Sequence, residues 1–193
     1  EFKVFTQTDK SLKPFSESTK DLKLSDFQQW VLAYFVKDPE AIMTEEEIMD
    51  EMCLTALLDL DIDNTGSSLK ELQKYGLVTY QHDKTGTRLN DGGHLVSYKI
   101  RDGFVGTLKG RLYFKQKIIL PLVLAKRDDK IRQVTTFLND NYGENPLAME
   151  IKNSFEVKDQ KTYVTRLASI AIEQFVPFMN ILSKISERFF GSV

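Results

Sequence analysis

Residues 65–101, TGSSLKELQKYGLVTYQHDKTGTRLNDGGHLVSYKIR, decide the fold that this sequence predicts. They open with small polar side chains of the kind that favour a helix start, and Leu69 and Leu72 follow at the spacing of one helical face. Gly76 stands where many helices end in a left-handed residue. We therefore expect a short helix over residues 65–75.

Two β-rich runs follow this helix. The first begins at Leu77, and the second covers residues 94–100. The residues between them, 83–93, are polar and contain glycine, which is typical of a hairpin loop. We therefore expect a two-stranded hairpin whose long loop carries Lys84 and Arg88 at its tip.

Two helices are predicted before this stretch. Ser25 is a suitable N-cap for a helix over residues 25–37, which has an apolar stripe and is ended by Pro39. Thr44 and Glu47 have the spacing of a capping box at the start of a second helix. Residues 1–21 are polar, and we expect an N-terminal lead that is either flexible or contains one short strand.

The helix, the glycine stop and the basic hairpin resemble the third helix and the wing of a winged helix-turn-helix domain. Residues 107–114, TLKGRLYF, add a second likeness, because they resemble the start of the helix that follows the wing in many bacterial winged-helix regulators. We expect Thr107 to cap this helix and Leu108, Leu112 and Tyr113 to pack back onto the domain. Residues 102–107, between the hairpin and this helix, are expected to form a turn. The resemblance covers residues 22–117 and implies an α+β, mostly α fold, in which a winged-helix domain precedes a helical C-terminal region.

The resemblance also implies a function, which is sequence-specific binding of double-stranded DNA by a dimeric transcriptional regulator. Helix 65–75 would enter the major groove, and the wing would approach the backbone or the minor groove. The residues implied to contact DNA are Thr65, Ser67, Ser68, Lys70, Gln73, Lys74, Lys84 and Arg88.

Charge is distributed unevenly along the chain, although the formal net charge is only −2. Residues 40–63 contain nine acidic and no basic residues, whereas residues 67–117 contain ten basic and four acidic ones. The basic segment suits a phosphate partner. The acidic segment would be repelled by one, so we keep an alternative in which the winged-helix module mediates protein–protein interaction or complex assembly without binding DNA.

Residues 118–193 are predicted to be mainly helical, and residues 118–125 suit either a helix or a buried strand. The last helix is expected over residues 159–190, kinked or divided at Pro177. Its apolar side is larger than one face of a solitary surface helix would expose. We expect it to form a homodimer that matches two half-sites about one helical turn apart, with closure of the monomer's own core as the alternative.

Composition restricts the remaining classes of function. One cysteine and no signal-peptide core lead us to expect a cytoplasmic protein, and no apolar run approaches the roughly 18 residues of a membrane span. His82, His94 and Cys53 lack the spacing of a zinc site. A calcium loop at Asp59 would need a carboxylate at Lys70, so we expect no metal, no cofactor and no enzyme.

Overall fold

The computed structural model of the protein describes residues 22–54, 65–82 and 84–191. Within these residues the fold is mostly helical with two pairs of antiparallel strands, in agreement with the predicted α+β, mostly α class. The helices are α1 (Asp26–Lys37), α2 (Glu45–Leu54), α3 (Thr65–Lys74), α4 (Leu108–Tyr113), α5 (Leu120–Arg127), α6 (Ile131–Tyr142), α7 (Pro146–Ser154), α8 (Gln160–Glu173) and α9 (Phe175–Phe189). The strands are β1 (Val78–Gln81), β2 (Lys84–Leu89), β3 (Leu95–Ile100) and β4 (Gly103–Gly106). The expected N-terminal lead and the acidic loop at Asp59 lie outside the described residues.

The first two helices begin at the caps that the sequence predicts. The Ser25 hydroxyl accepts a hydrogen bond from the Gln28 N–H at 3.2 Å, and the Gln28 side chain accepts one from the Ser25 N–H at 3.0 Å. Thr44 and Glu47 form the same reciprocal pair, at 3.2 and 2.9 Å. The N-cap at Ser25 and the capping box at Thr44 are confirmed, and Gln28 extends the Ser25 cap to a capping box that was not predicted.

Gly76 ends α3 in the left-handed region, with φ of +71°. The Leu77 N–H donates to Leu72 O at 2.9 Å and the Gly76 N–H donates to Gln73 O at 2.9 Å, which are the two bonds of a Schellman motif. Leu77 is fully buried after the turn. The predicted stop is therefore confirmed, and it directs the chain from α3 straight into β1.

The four strands form the two sides of one long hairpin. β1 pairs with β4 from Val78 opposite Gly106, and β2 pairs with β3 from Lys84 opposite Ile100 to Leu89 opposite Leu95, all in one continuous register. We call this element the ribbon. At six residues and about 3.3 Å per residue, its outer half, β2 with β3, is roughly 20 Å long.

Two predictions about this region were wrong. Residues 83–93 were expected to be a loop, yet 84–89 form β2, because Thr85, Thr87 and Leu89 suit a strand and find a partner across the ribbon. Residues 102–107 were expected to be a turn, yet they include β4. Position 106 in β4 needs glycine because the strand packs closely on α1. A Cβ there would lie 2.5 Å from the Phe35 Cβ.

Helix α4 is fixed against the start of the ribbon. The Thr107 hydroxyl accepts a hydrogen bond from the Gly110 N–H at 3.0 Å, which confirms the predicted cap, and lies 2.7 Å from Gly76 O. Tyr113 is buried as expected, but Leu108, which was predicted to pack inwards, is 56% exposed. A π-helical turn (Phe114–Ile118) then leads into α5, so the region left open between helix and strand is helical.

Replacing Gly110 by alanine should lower the free energy of unfolding by about 3 kcal/mol, the upper end of overpacking costs. An added Cβ would lie 2.1 Å from Leu77 O, a backbone atom that cannot rotate away. In an open helix the same change would stabilise the protein. Urea unfolding followed by circular dichroism measures the difference, and Gly92→Ala, which meets no atom closer than 3.4 Å, is the matched control. A stability of Gly110→Ala equal to that of the control would contradict the packing of α4 on Leu77.

Helices α8 and α9 occupy the region of the last predicted helix, which was expected to be kinked or divided at Pro177. The chain breaks at Gln174, whose φ is −141°, and Pro177 lies in the first turn of α9. The predicted division is therefore confirmed, with the break three residues before Pro177. Helix α8 packs along α1, where the Trp30 indole N–H donates to Ile172 O at 3.2 Å. The buried apolar residues of α1, α3, α5, α8 and α9 belong to one continuous core.

The apolar residues on which the homodimer expectation was based are buried within the single chain. Phe175, Phe178 and Ile185 are fully covered, and Ile170, Ile181 and Leu182 are no more than 5% exposed. Since α1 and α5 already cover these helices, the argument for a partner at this face was wrong. The two helices close the monomer's own core.

Candidate nucleic-acid interface

Helix α3 has a buried face and an outer face. Leu69 and Leu72 are fully buried, and Thr65 is 3% exposed. The outer face carries five exposed polar side chains, which are Ser67, Lys70, Glu71, Gln73 and Lys74. The structure therefore brings four of the six α3 residues predicted to contact DNA together on one accessible surface, which we call the α3 outer face.

The other two predicted α3 residues lie elsewhere. Thr65 is buried against the protein, so its side chain does not reach a ligand on the outer face. Ser68 is half-buried on the side of α3 that faces α1, and its carbonyl accepts a hydrogen bond from the Gln28 side chain at 3.2 Å. The prediction of DNA contact was wrong for Thr65, because position 65 falls on the same helical face as Leu69 and Leu72.

The acidic residue of α3, Glu71, is exposed and hydrogen-bonds to Gln28 of α1. Its Oε2 accepts a hydrogen bond from the Gln28 side chain at 2.8 Å, and its Oε1 accepts one from the Tyr75 hydroxyl at 3.4 Å. Gln28 itself is 3% exposed, so Glu71 satisfies a buried amide. Glu71 is nevertheless exposed, so the one α3 carboxylate lies beside Ser67 and Lys74 on the accessible side of the helix and partly offsets the positive charge of Lys74.

The ribbon places its basic residues along its length. Lys84 begins β2 opposite Ile100, and Arg88 lies next to its last residue, opposite Val96. The prediction that both lie at the loop tip was wrong, because the turn is shorter and consists of residues 90–94. Lys84 is therefore midway along the ribbon, and Arg88 is near its end.

The turn at the end of the ribbon is organised by Asn90. The Asn90 side-chain oxygen accepts hydrogen bonds from the Gly92 N–H at 3.0 Å and the His94 N–H at 2.9 Å. The Asn90 backbone N–H also donates to His94 O at 2.9 Å. These bonds define the turn geometry at the far end of the two strands.

The base of the ribbon is attached to α2. The Arg101 guanidinium forms an ion pair with Glu47, and β4 bridges to Met43 through two backbone hydrogen bonds of 3.0 and 2.7 Å with Phe104. The Thr44 N–H, followed by the Arg101 side chain, lowers the pKa of Glu47. Glu47 of the acidic segment and Arg101 of the basic segment therefore pair with each other within the protein.

Other acidic residues lie beside the start of α3. The Glu45 carboxylate is so close to Gly66 that a Cβ there would meet its Oε1 at 2.9 Å. A negative side chain is favourable at this position, because the first turn of a helix carries partial positive charge. It also repels phosphate from the first turn of α3, so the accessible cations of this helix are those of its middle and last turns, Lys70 and Lys74.

Several basic residues of segment 67–117 are engaged within the protein. The Lys109 ammonium donates to Tyr75 O at 2.7 Å, near the C-terminus of α3, where a cation is favourable. The Arg111 side chain contacts Gly106 O at 3.4 Å. The charge count of the sequence therefore overstates the cations available to a ligand.

Three exposed apolar residues near the ribbon tip were missed by the sequence analysis. Leu89 is 67% exposed, Leu95 is 74% exposed and Val96 is 40% exposed. Leu89 and Leu95 are directly opposite each other as the last pair of the ribbon. The alternation of Thr85, Thr87 and Leu89 was the available signal, but it was obscured by the glycines and polar residues around it.

The described residues offer little for catalysis or metal binding. His82 lies at the junction of β1 and β2, with its ring 5.2 Å from the Tyr80 ring, whereas His94 lies in the turn, so the two imidazoles do not face each other. Within residues 22–54, 65–82 and 84–191, no three His, Cys, Asp or Glu side chains are grouped to hold a metal ion. In the same residues, no helix is both long enough and apolar enough to cross a membrane.

Comparison of the chain with known protein families, with curated proteins and with solved structures found no significant match. The interpretation of the site therefore rests on the residues and geometry described above.

Proposed function

We propose that residues 22–117 form a winged-helix module that binds double-stranded DNA with sequence preference, as a transcriptional regulator does. The observation that supports this most strongly is the α3 outer face. It exposes two lysines, a glutamine and a serine beside one carboxylate, Glu71, that accepts a hydrogen bond from Gln28, and it continues through Gly76 into a projecting ribbon.

The residue types on this face suit the major groove. Lysine and glutamine side chains hydrogen-bond to base edges there, and a serine hydroxyl pairs with several bases. The groove admits one α-helix, and α3 is ten residues long, or about 15 Å at 1.5 Å per residue. In our proposal Gln73 approaches base edges in the groove, Lys70 and Lys74 contact the phosphates that line it, and Glu45 keeps the first turn of α3 away from phosphate.

The ribbon provides the second contact. It leaves α3 directly and carries Lys84 and Arg88 along β2, at positions where a strand lying on the duplex would meet the phosphate backbone. Because α8 and α9 are used in the core, the proposal needs one copy of the chain on one site.

A second candidate function follows from the acidic surface of α2. Glu45, Glu46 and Asp50 lie on this helix, and none of the three forms an ion pair among the described residues. Such a surface suits a basic protein partner. The two functions differ in the salt dependence of binding to random duplex DNA, because release of counterions makes DNA binding weaken steeply with salt.

Replacing Lys84 and Arg88 together by alanine should weaken duplex binding without unfolding the protein. Loss of two phosphate contacts should reduce the magnitude of the slope of log K against log salt by about 1.8, at roughly 0.9 per contact. Fluorescence anisotropy with a labelled random duplex at several salt concentrations measures this slope.

The control for this variant is Lys158→Ala with Lys161→Ala, which removes the same charge at two exposed positions outside α3 and the ribbon. The control should keep the wild-type slope. If the ribbon variant kept it as well, the ribbon would have no part in phosphate binding.

A further inference from the structure

The ribbon ends in an apolar tip on an otherwise polar arm. Thr87 and residues 89–97 are all exposed. Six large apolar residues are markedly exposed among those described, and three of them, Leu89, Leu95 and Val96, lie together at this tip. The others, Leu108, Met149 and Val176, are separate in sequence, as ordinary surface apolar residues are.

The two leucines form the leading edge of the ribbon. They are the last cross-strand pair before the turn, so their side chains project from the same face of the two strands. The Asn90 bonds to the Gly92 and His94 N–H groups define the turn beyond them. The leucines are therefore presented by a defined hairpin end.

Basic residues flank this apolar pair. Arg88 precedes Leu89 in β2, and Lys84 and Lys99 lie further back on the two strands, whereas Asp91 is the one acidic residue of the described segment 84–101. An apolar ribbon tip followed by basic residues is complementary to a target whose apolar interior lies between two rows of negative charge. Duplex DNA has this arrangement, because stacked bases lie between phosphate backbones.

We propose that Leu89 and Leu95 insert as a wedge into a base step of the minor groove and bend the bound DNA. The inference rests on the proposed function, because the ribbon must first lie on a duplex. Leucine is one of the side chains that minor-groove proteins insert between base pairs, and insertion bends the duplex by about 20–90°. The roughly 20 Å length of the outer ribbon lets the tip reach a groove next to the one that α3 occupies.

Insertion predicts a preference for deformable DNA. Pyrimidine–purine steps such as TA unstack easily, whereas A-tracts are stiff. The protein should therefore bind a 30-base-pair duplex with a central TA step about tenfold more tightly than an A-tract duplex of the same length. End-labelled duplexes should show increased energy transfer on binding, because the bend brings their ends together.

The test compares the full chain with Leu89→Ala/Leu95→Ala. This variant should lose the bend and the preference for the TA step, yet keep the wild-type salt slope, since Lys84 and Arg88 are unchanged. Leu108→Ala, which alters an equally apolar exposed residue outside the ribbon, should keep all three properties. Leu89→Met/Leu95→Met retains two apolar wedges and should restore the bend, which shows that loss in the alanine variant does not come from misfolding.

Each other outcome overturns the inference in a distinguishable way. A bend and a preference that persist in the alanine variant would remove the wedge and leave the proposed function in place. An alanine variant that loses only self-association, measured by sedimentation of the free protein, would identify a second copy of the chain as the occupant of the tip. No binding of either duplex by wild type at 50 mM salt would remove the proposed function and the wedge together.

Discussion

A chain cut after residue 158 should fail to fold. Helix α8 packs along α1 and α9 packs on α5, and the cut removes Leu167, Phe175 and Phe178, each fully buried. Burial of such side chains contributes about 1.5–3 kcal/mol each, so these three alone approach the total stability of about 5–15 kcal/mol typical of a domain. Circular dichroism and thermal unfolding of residues 1–158 should show no cooperative transition.

A graded version of this experiment uses point variants of α9. Phe178→Ala should reduce the free energy of unfolding by about 3–5 kcal/mol, because it leaves a cavity in the core. Val176→Ala, two residues earlier and 37% exposed, should change it by no more than about 0.5 kcal/mol. If residues 1–158 instead unfolded cooperatively as a monomer, α8 and α9 would not belong to the core of this module.

Replacing Lys70 and Lys74 by glutamine should weaken DNA binding as strongly as the ribbon variant does, because it also removes two phosphate contacts. Both lysines are exposed on the α3 outer face. Removing two phosphate contacts should reduce the magnitude of the slope of log K against log salt by about 1.8. If the variant and the wild type bind equally at 1 M salt, this change corresponds to about 60-fold weaker binding of the variant at roughly 0.1 M salt. Anisotropy titrations with the same duplex measure both quantities.

The matched control for the α3 variant is Lys158→Gln with Lys161→Gln. It changes the net charge equally, so it separates loss of a local contact from loss of overall attraction. An equal reduction in both variants would mean that α3 is not the surface in contact with DNA. Unchanged thermal unfolding of both is expected, because all four side chains are exposed.

Features specified by neighbouring residues could be predicted from the sequence. The N-cap at Ser25, the capping box at Thr44 and the stop at Gly76 each depend on a few adjacent residues and on backbone geometry. Pro177 likewise divides the last helix because it lacks an N–H. DNA contact by the other α3 residues stays a prediction, and the burial of Thr65 on the core face of α3 could be seen only in the structure.

Features that depend on distant partners could not be predicted. Gly106 suggested a turn, yet it lies in strand β4. Glycine is needed there because Phe35 of α1 packs against it. The apolar side of α8 and α9 showed that these helices are buried, but a helical period does not say whether the covering surface comes from the same chain or from another. The engagement of Glu71 with Gln28 joins residues 43 positions apart, and nothing local predicts it.

The salt dependence of wild-type binding to a random duplex tests the central claim most directly. Four proposed phosphate contacts, at Lys70, Lys74, Lys84 and Arg88, predict a slope of log K against log salt of about −3.6, at roughly −0.9 per contact. We expect tight binding at 50 mM salt that is lost progressively as salt rises. No measurable binding at 50 mM, or binding whose strength does not change with salt, would contradict the assignment of α3 and the ribbon as a DNA-binding surface.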